Sequence, residues 1–167
     1  MCGIFAAFNQ FSVSYNEILT EFVKGKNRGP EFSKLDHTYQ KMVLGFHRLA
    51  INGLNDISNQ PLVINDIILI CNGAIYNYKQ LYADMAVVPT TGSDCEVIIH
   101  MYLKYGIEQT LNMLDGVYAF VLYDNRSNNE NIHRVFVARD PLGVRPLYCL
   151  KNNGVNHNDT LFGFASE

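Results

Sequence analysis

The sequence predicts an α+β fold built of stacked, largely antiparallel sheets with helices packed outside them. Three observations carry that expectation. Strand-like runs crowd the second half of the 167-residue chain, only two segments show strong helical periodicity, and no regular β-α-β alternation links them. This length suits one domain, residues 1–167, with a sizeable core. With 48% hydrophobic and 17% charged residues, the chain has the composition of an ordinary globular protein rather than a disordered one.

The elements follow in order. CGIFAAF at 2–8 is a short apolar run that reads as a buried strand. From Asn16 to about Lys26, Ile18, Leu19, Phe22 and Val23 recur at helical spacing behind Ser14 or Asn16 as cap, and NRGP at 27–30 breaks the helix. KMVLGFHRLAI at 41–51 and DIILIC at 66–71 read as strands. The second is apolar on both faces and therefore central in its sheet. Asn72-Gly73 is expected to end it in a turn.

Asp94 to Tyr105 places Val97, Ile98, Met101 and Tyr102 on one helical face, with Ser93 or Asp94 as cap and Gly106 just past the end. VYAFVLYD at 117–124, HRVFVARD at 133–140 and PLYCL at 146–150 are strong strand patterns, separated by NRSNNEN and PLGVR turns. A polar loop at 151–159 leads into TLFGFASE, a last strand.

Several function classes are excluded early. A net charge of −3 offers no basic patch for nucleic acid. No segment approaches the roughly 18–20 apolar residues that span a bilayer, and the start lacks a secretory pattern. Four cysteines, at 2, 71, 95 and 149, form no C-x-x-C pair, and the five histidines have no metal-binding spacing. No metal site and no disulfide framework are expected, and free thiols suit a cytoplasmic location. Cys71 and Cys149 read as small buried hydrophobes, and His47 as a structural histidine.

Cys2 stands apart. Removal of Met1, the usual fate of methionine before a small residue, would leave its thiol beside a free α-amine. The reference pKa of that amine, about 7.7–8, lets it take and return a proton near neutral pH. Nucleophile and base would share one residue, as in enzymes with an N-terminal threonine. Alone, the residue also reads as a tolerated cysteine in a buried strand.

Eight blocks in order then decide the context: CGIF at 2–5, NRGPE at 27–31, HRLAI at 47–51, NGAIYN at 72–77, TGSDCEVI at 91–98, GVYAFVLYD at 116–124, RDPLGVRPLY at 139–148 and FASE at 164–167. Together they resemble the glutaminase domain of class II glutamine amidotransferases, the N-terminal-nucleophile hydrolases, and most of all its asparagine synthetase branch. The resemblance covers essentially the whole chain. It implies a four-layer αββα sandwich of two mainly antiparallel sheets.

It also implies roles. Cys2 would be the nucleophile, and its amine the base, in hydrolysis of the side-chain amide of L-glutamine through a γ-glutamyl thioester. Asn72 and Gly73 would form the oxyanion hole, although the dipeptide alone reads as a hairpin turn. Arg48 would grip the substrate α-carboxylate, since a guanidinium forks onto a carboxylate as lysine cannot. Leu49 and Ile51 would line the same pocket. Asp94 would receive the α-ammonium, although an aspartate heading a helix is also an ordinary cap. RDPLGVRPLY would be structural. One position departs: Ala74 stands where the synthetases carry glutamate in NGEIYN.

The glutaminase reaction needs no cofactor. ATP and Mg2+ are expected only at a covalently linked synthetase domain that turns aspartate and ammonia into asparagine. No glycine-rich pyrophosphate loop occurs here, so this chain alone is expected to release ammonia without building asparagine. The FASE ending falls where the family's linker begins, and the chain is expected to be a fragment of a longer protein. A homodimer is left open. Two alternatives also stay open: a glutaminase serving an amino-sugar or purine acceptor, and a non-catalytic module that keeps the fold.

Overall fold

A computed structural model describes residues 1–9, 13–37, 42–126, 133–152 and 161–167. Along them run β1 (Gly3–Phe8), α1 (Tyr15–Lys24), β2 (Phe32–Asp36), β3 (Met42–Arg48), β4 (Leu62–Ile64) and β5 (Ile67–Ile75). Then come α2 (Tyr78–Met85), α3 (Val97–Met113), β6 (Gly116–Asp124), β7 (Arg134–Arg139), β8 (Tyr148–Asn152) and β9 (Leu161–Ala165). All strand pairs are antiparallel and fall into two sheets. The α+β class is therefore as predicted.

The chain divides into two compact units, Met1–Leu49 with Pro146–Glu167, and Ala50–Arg145. The first holds a five-stranded sheet in the order β2-β3-β1-β9-β8. Helix α1 lies on it through Phe22, whose ring meets Phe5 edge-on at 5.9 Å. A Cβ on Gly45 would come within 2.6 Å of that ring, so glycine is what lets Phe22 sit on β3. Of the two candidate caps, Ser14 serves: its hydroxyl accepts from Glu17 N–H, and the Glu17 carboxylate accepts from Ser14 N–H at 2.8 Å.

The second unit holds a four-stranded sheet in the order β4-β5-β6-β7. Its core packs Leu69, Cys71 and Ile75 of β5 and Phe120 and Leu122 of β6 with residues of α2 and α3, among them Leu81, Ile98 and Met101. β5 is central and buried, as its two-faced apolar pattern requires.

Five expectations are corrected. Asn72-Gly73 does not end its strand, because the ladder with β6 continues to Ile75 opposite Gly116. The predicted second helix starts later, at Val97 after a 3₁₀ turn over Asp94–Glu96, and no side chain caps it. Its backbone does break at Gly106 (φ +76°), but helical turns resume to Met113. Cys149 is exposed rather than buried, since β8 is the edge strand of its sheet and among the described residues pairs only with β9. The polar loop expected at 151–159 starts later, since Lys151 and Asn152 continue β8 opposite Phe162 and Leu161. Its residues 153–159 and most of the NRSNNEN turn lie outside the described residues.

Candidate active site

In the first unit the register sets Gly3 opposite His47, so Cys2 falls opposite Arg48 at the end of β3. Leu49 N–H donates to Cys2 Sγ at 3.4 Å, and the thiol reaches Leu49 O at 3.5 Å. The Cys2 carbonyl accepts from Arg28 Nε at 3.2 Å, and the Arg28 guanidinium lies 3.5 Å from the Glu167 carboxylate. Ser166 exchanges two bonds with Ile4: its hydroxyl accepts from Ile4 N–H and its own N–H donates to Ile4 O. Two blocks far apart in sequence, NRGPE and FASE, thus fix the backbone around the half-buried Cys2.

Arg48 is 6% exposed, and its carbonyl accepts from Glu31 N–H at 3.2 Å. A Cβ on Gly29 would lie 2.3 Å from the Arg48 carbonyl carbon, so the RGPE segment can lie against β3 only with glycine there. His47 is structural, as read: Nε2–H donates to Phe22 O, Nδ1 accepts from Ser33, and the ring stacks on Phe22 at 4.0 Å. Burial pushes its pKa below the ordinary value, although the Phe22 carbonyl opposes this.

In the second unit the useful feature is a strand edge. Tyr118, the register partner of Gly73, gives both backbone groups to Asp140: its N–H donates to Oδ2, and its carbonyl accepts from Asp140 N–H. Gly73 and Tyr118 are therefore a non-hydrogen-bonded pair, and alternation turns the Gly73 peptide groups away from β6. They face the edge along which β4, ending its pairing at Leu69, supplies no strand partner among the described residues; there the Gly73 carbonyl accepts from the Cys95 thiol at 4.0 Å. On that edge Cys71 is held by Gln60 and Ile75 by Asp94, with Gly73 N–H in the gap.

A Cβ at Gly73 would stand 2.8 Å from Val117 O, which explains the residue type inside a strand. The Asn72 side chain is 2% exposed, and its Nδ2 has no hydrogen-bond partner among the described residues. An unsatisfied buried donor costs about 1–3 kcal/mol, so a group that can use it is wanted there.

Asp94 is buried, with Oδ2 accepting from Ile75 N–H at 2.7 Å and Oδ1 from Asn52 Nδ2 at 3.2 Å. This replaces the expected helix cap: the carboxylate is committed to β5 and to Asn52, not to α3. A carboxylate has about four acceptor positions, so capacity remains. The loop before it hangs on the fully buried Glu96, which accepts from Thr90 N–H, Thr90 Oγ1, Thr91 N–H and His100 Nε2. Burial pushes that carboxyl up, but these donors outweigh it and hold its pKa low.

Gly92 N–H donates to Ser58 Oγ, and Gly92 and Gly53 lie too close for a side chain on either. Ile51 is 73% exposed. Asp140 also accepts from Val144 and Arg145 N–H, so RDPLGVR folds around one carboxylate. Among the described residues no group of His, Cys, Asp or Glu could hold a metal ion. Nor is any helix among them long and apolar enough to cross a membrane.

Sequence reasoning missed Arg28, Gln60, Asn52 and Ser166 as individual contributors. Arg28 and Ser166 lay inside blocks already quoted, but only the pairing of β1 with β3 and β9 brings them to the Cys2 segment.

Two antiparallel sheets, each carrying helices, with a cysteine at the head of β1, define an N-terminal-nucleophile hydrolase fold. The likeness to a solved structure bears this out: the glutamine phosphoribosylpyrophosphate amidotransferase from B. subtilis, complexed with ADP and GMP, matches 99% of this chain and 42% of that one. The TM-score is 0.69 at 24% identity, so what the two share is the fold.

The chain belongs to the glutamine amidotransferase domain family, whose profile matches residues 1–167. It is 38% identical over 173 residues to the glutamine-hydrolysing asparagine synthetase of Gallus gallus, covering all of this chain and 28% of that protein. It is 39% identical over 154 residues to asparagine synthetase 2 (glutamine-hydrolysing) of Oryza sativa subsp. japonica, covering 89% and 25%. The chain therefore spans about a quarter of the length of these relatives.

Proposed function

We propose that this chain hydrolyses the side-chain amide of L-glutamine and supplies the ammonia for asparagine synthesis in a covalently linked, ATP-dependent synthetase domain. The observation that carries the proposal is the pair at 72–73: a buried amide donor without a partner among the described residues, followed by a strand N–H that points to an edge with no strand beside it among them. Two such donors are what the charged oxygen of a tetrahedral intermediate requires.

With Met1 removed, the Cys2 α-amine takes the thiol proton as sulfur attacks the glutamine Cδ. The carbonyl oxygen becomes an oxyanion held by Asn72 Nδ2 and Gly73 N–H. The amine returns the proton to the leaving nitrogen, ammonia departs, and a γ-glutamyl thioester remains. Water, deprotonated by the same amine, attacks the thioester carbon and releases glutamate, while the thiolate recovers its proton.

Arg48 takes the substrate α-carboxylate and Asp94 the α-ammonium, with Leu49 and Ile51 lining the pocket. This step uses no cofactor. The chain has no phosphate-cradling glycine loop, so ATP and Mg2+ belong to the linked synthetase domain. The free state of all four cysteines suits a cytoplasmic setting.

A second reading, a non-catalytic module, is favoured by Ala74, where the resemblance to the synthetases implies glutamate. One experiment separates the two. Intact mass establishes loss of Met1, and ammonia release from glutamine is then measured with and without acetylation of the terminal amine. Turnover that acetylation abolishes is expected; full turnover with the amine capped overturns the mechanism, and a folded, demethionylated sample without turnover supports the second reading.

A further inference from the structure

Gln60 has no place in the reaction as proposed, yet it is 5% exposed and spends its whole amide on one residue. Its Oε1 accepts from Cys71 N–H at 2.5 Å, and its Nε2 donates to Cys71 O at 3.1 Å. The register explains why. β4 pairs with β5 as Leu62 with Leu69, so Pro61 and Gln60 fall opposite Ile70 and Cys71. The primary amide of Gln60 presents an N–H donor and a carbonyl acceptor side by side in one plane, and so takes the place of the peptide unit that the absent strand would have supplied.

We propose that Gln60 is a positioning residue, fixing the β5 backbone at Cys71 and thereby the direction of the two donors that follow, Asn72 Nδ2 and Gly73 N–H. The edge on which Gly73 N–H is exposed must lack a neighbouring strand, or that donor would be consumed by it. Such an edge is free to shift unless it is clamped on both sides of the gap. Asp94 clamps it at Ile75 and Gln60 at Cys71, two residues to either side of Gly73. A misplacement of about 1 Å in such a constellation is worth up to about 100-fold in rate.

This rests on the glutaminase reading, so the test carries a readout independent of turnover. Gln60→Leu removes both bonds; Gln60→Glu keeps an acceptor and loses the donor, and stands in if the leucine variant does not fold. Backbone and side-chain amide NMR is expected to show shifted Gly73 N–H and Asn72 Nδ2 resonances, with Gly3 and Ile4 unmoved. Steady-state glutaminase assays are expected to show kcat down by about 10- to 100-fold and the KM for glutamine changed less than about three-fold. In an Asn72→Ala background the same substitution should lower kcat by a smaller factor than in the wild type, because one of the two donors it directs is already gone.

Unmoved resonances at residues 72–73 overturn the positioning role whatever the turnover. So does a kcat loss that is fully additive with Asn72→Ala. If the wild type releases no ammonia, the glutaminase reading fails, and the NMR result still decides whether Gln60 holds these donors.

Discussion

Ala74 sits on β5 immediately after the two donors, at the position where the resemblance to the synthetases implies a glutamate. In this chain the acceptor assigned to the substrate ammonium is Asp94, two of whose lone pairs already serve Ile75 and Asn52. Ala74→Glu supplies a second carboxylate, and a charge-assisted bond is worth about 1–3 kcal/mol. The expected outcome is a KM for glutamine lower by about 5- to 100-fold, with kcat little changed, in steady-state assays of ammonia release. An unchanged or higher KM counts against the pocket assignment. At this scale the sequence was informative about residue type and less so about office. Cys2, Arg48, Asn72, Gly73 and Asp94 could be picked out because their blocks occur in order. That Asp94 holds a strand instead of capping a helix was illegible, because its partners Ile75 and Asn52 are 19 and 42 residues away.

Elements were legible where one period dominates. β5 and β6 are long and apolar on both faces, and the residues of α1 cluster on one side behind a capping box. β2, β4 and α2 escaped notice for physical reasons. β2 is a short, largely polar edge strand, β4 has three residues, and α2 begins without a side-chain cap. Gly106 shows the same division within one helix. Its place after Tyr105 marked a stop, but the turns beyond it resume because Ile107, Leu111 and Met113 pack against the same core. Gly106 has φ +76° and ψ 172°, a region open essentially to glycine, and nothing lies within 4 Å of a Cβ placed there. Gly106→Ala therefore meets backbone strain without a clash, and is expected to destabilise by about 1–3 kcal/mol. The urea midpoint measures it; a variant as stable as the wild type would show that the kink relaxes at no cost. Glutamine kinetics in the folded variant should not move.

The response of the whole molecule to acid follows from two buried groups whose titrations oppose the fold in different pH windows. His47 is neutral in the folded state: burial lowers its pKa, and its Nε2–H donates to the Phe22 carbonyl while Nδ1 accepts from Ser33. The unfolded histidine, near its ordinary pKa of about 6.5, takes up a proton first as pH falls. The unfolded state then binds more protons than the folded state, so stability declines below about pH 6.5, by at most about 1.4 kcal/mol per pH unit for one proton. Asp124 acts lower. Hydrogen bonds from the Arg126 guanidinium, and then from Tyr102, outweigh burial and hold its pKa at about 2. Its contribution is complete above the ordinary aspartate value and is lost as pH falls through about 2. The chain has no tryptophan but ten tyrosines, so urea unfolding is best followed by tyrosine fluorescence and circular dichroism from pH 7.5 to 2.5. His47→Gln should flatten the decline between pH 7 and 5 while leaving the lower limb intact. Asp124→Asn should flatten only the limb below about pH 4. Parallel pH curves for wild type and His47→Gln would mean that the imidazole stacked on Phe22 does accept a proton inside the fold, and that its bond to the Phe22 carbonyl outweighs its burial.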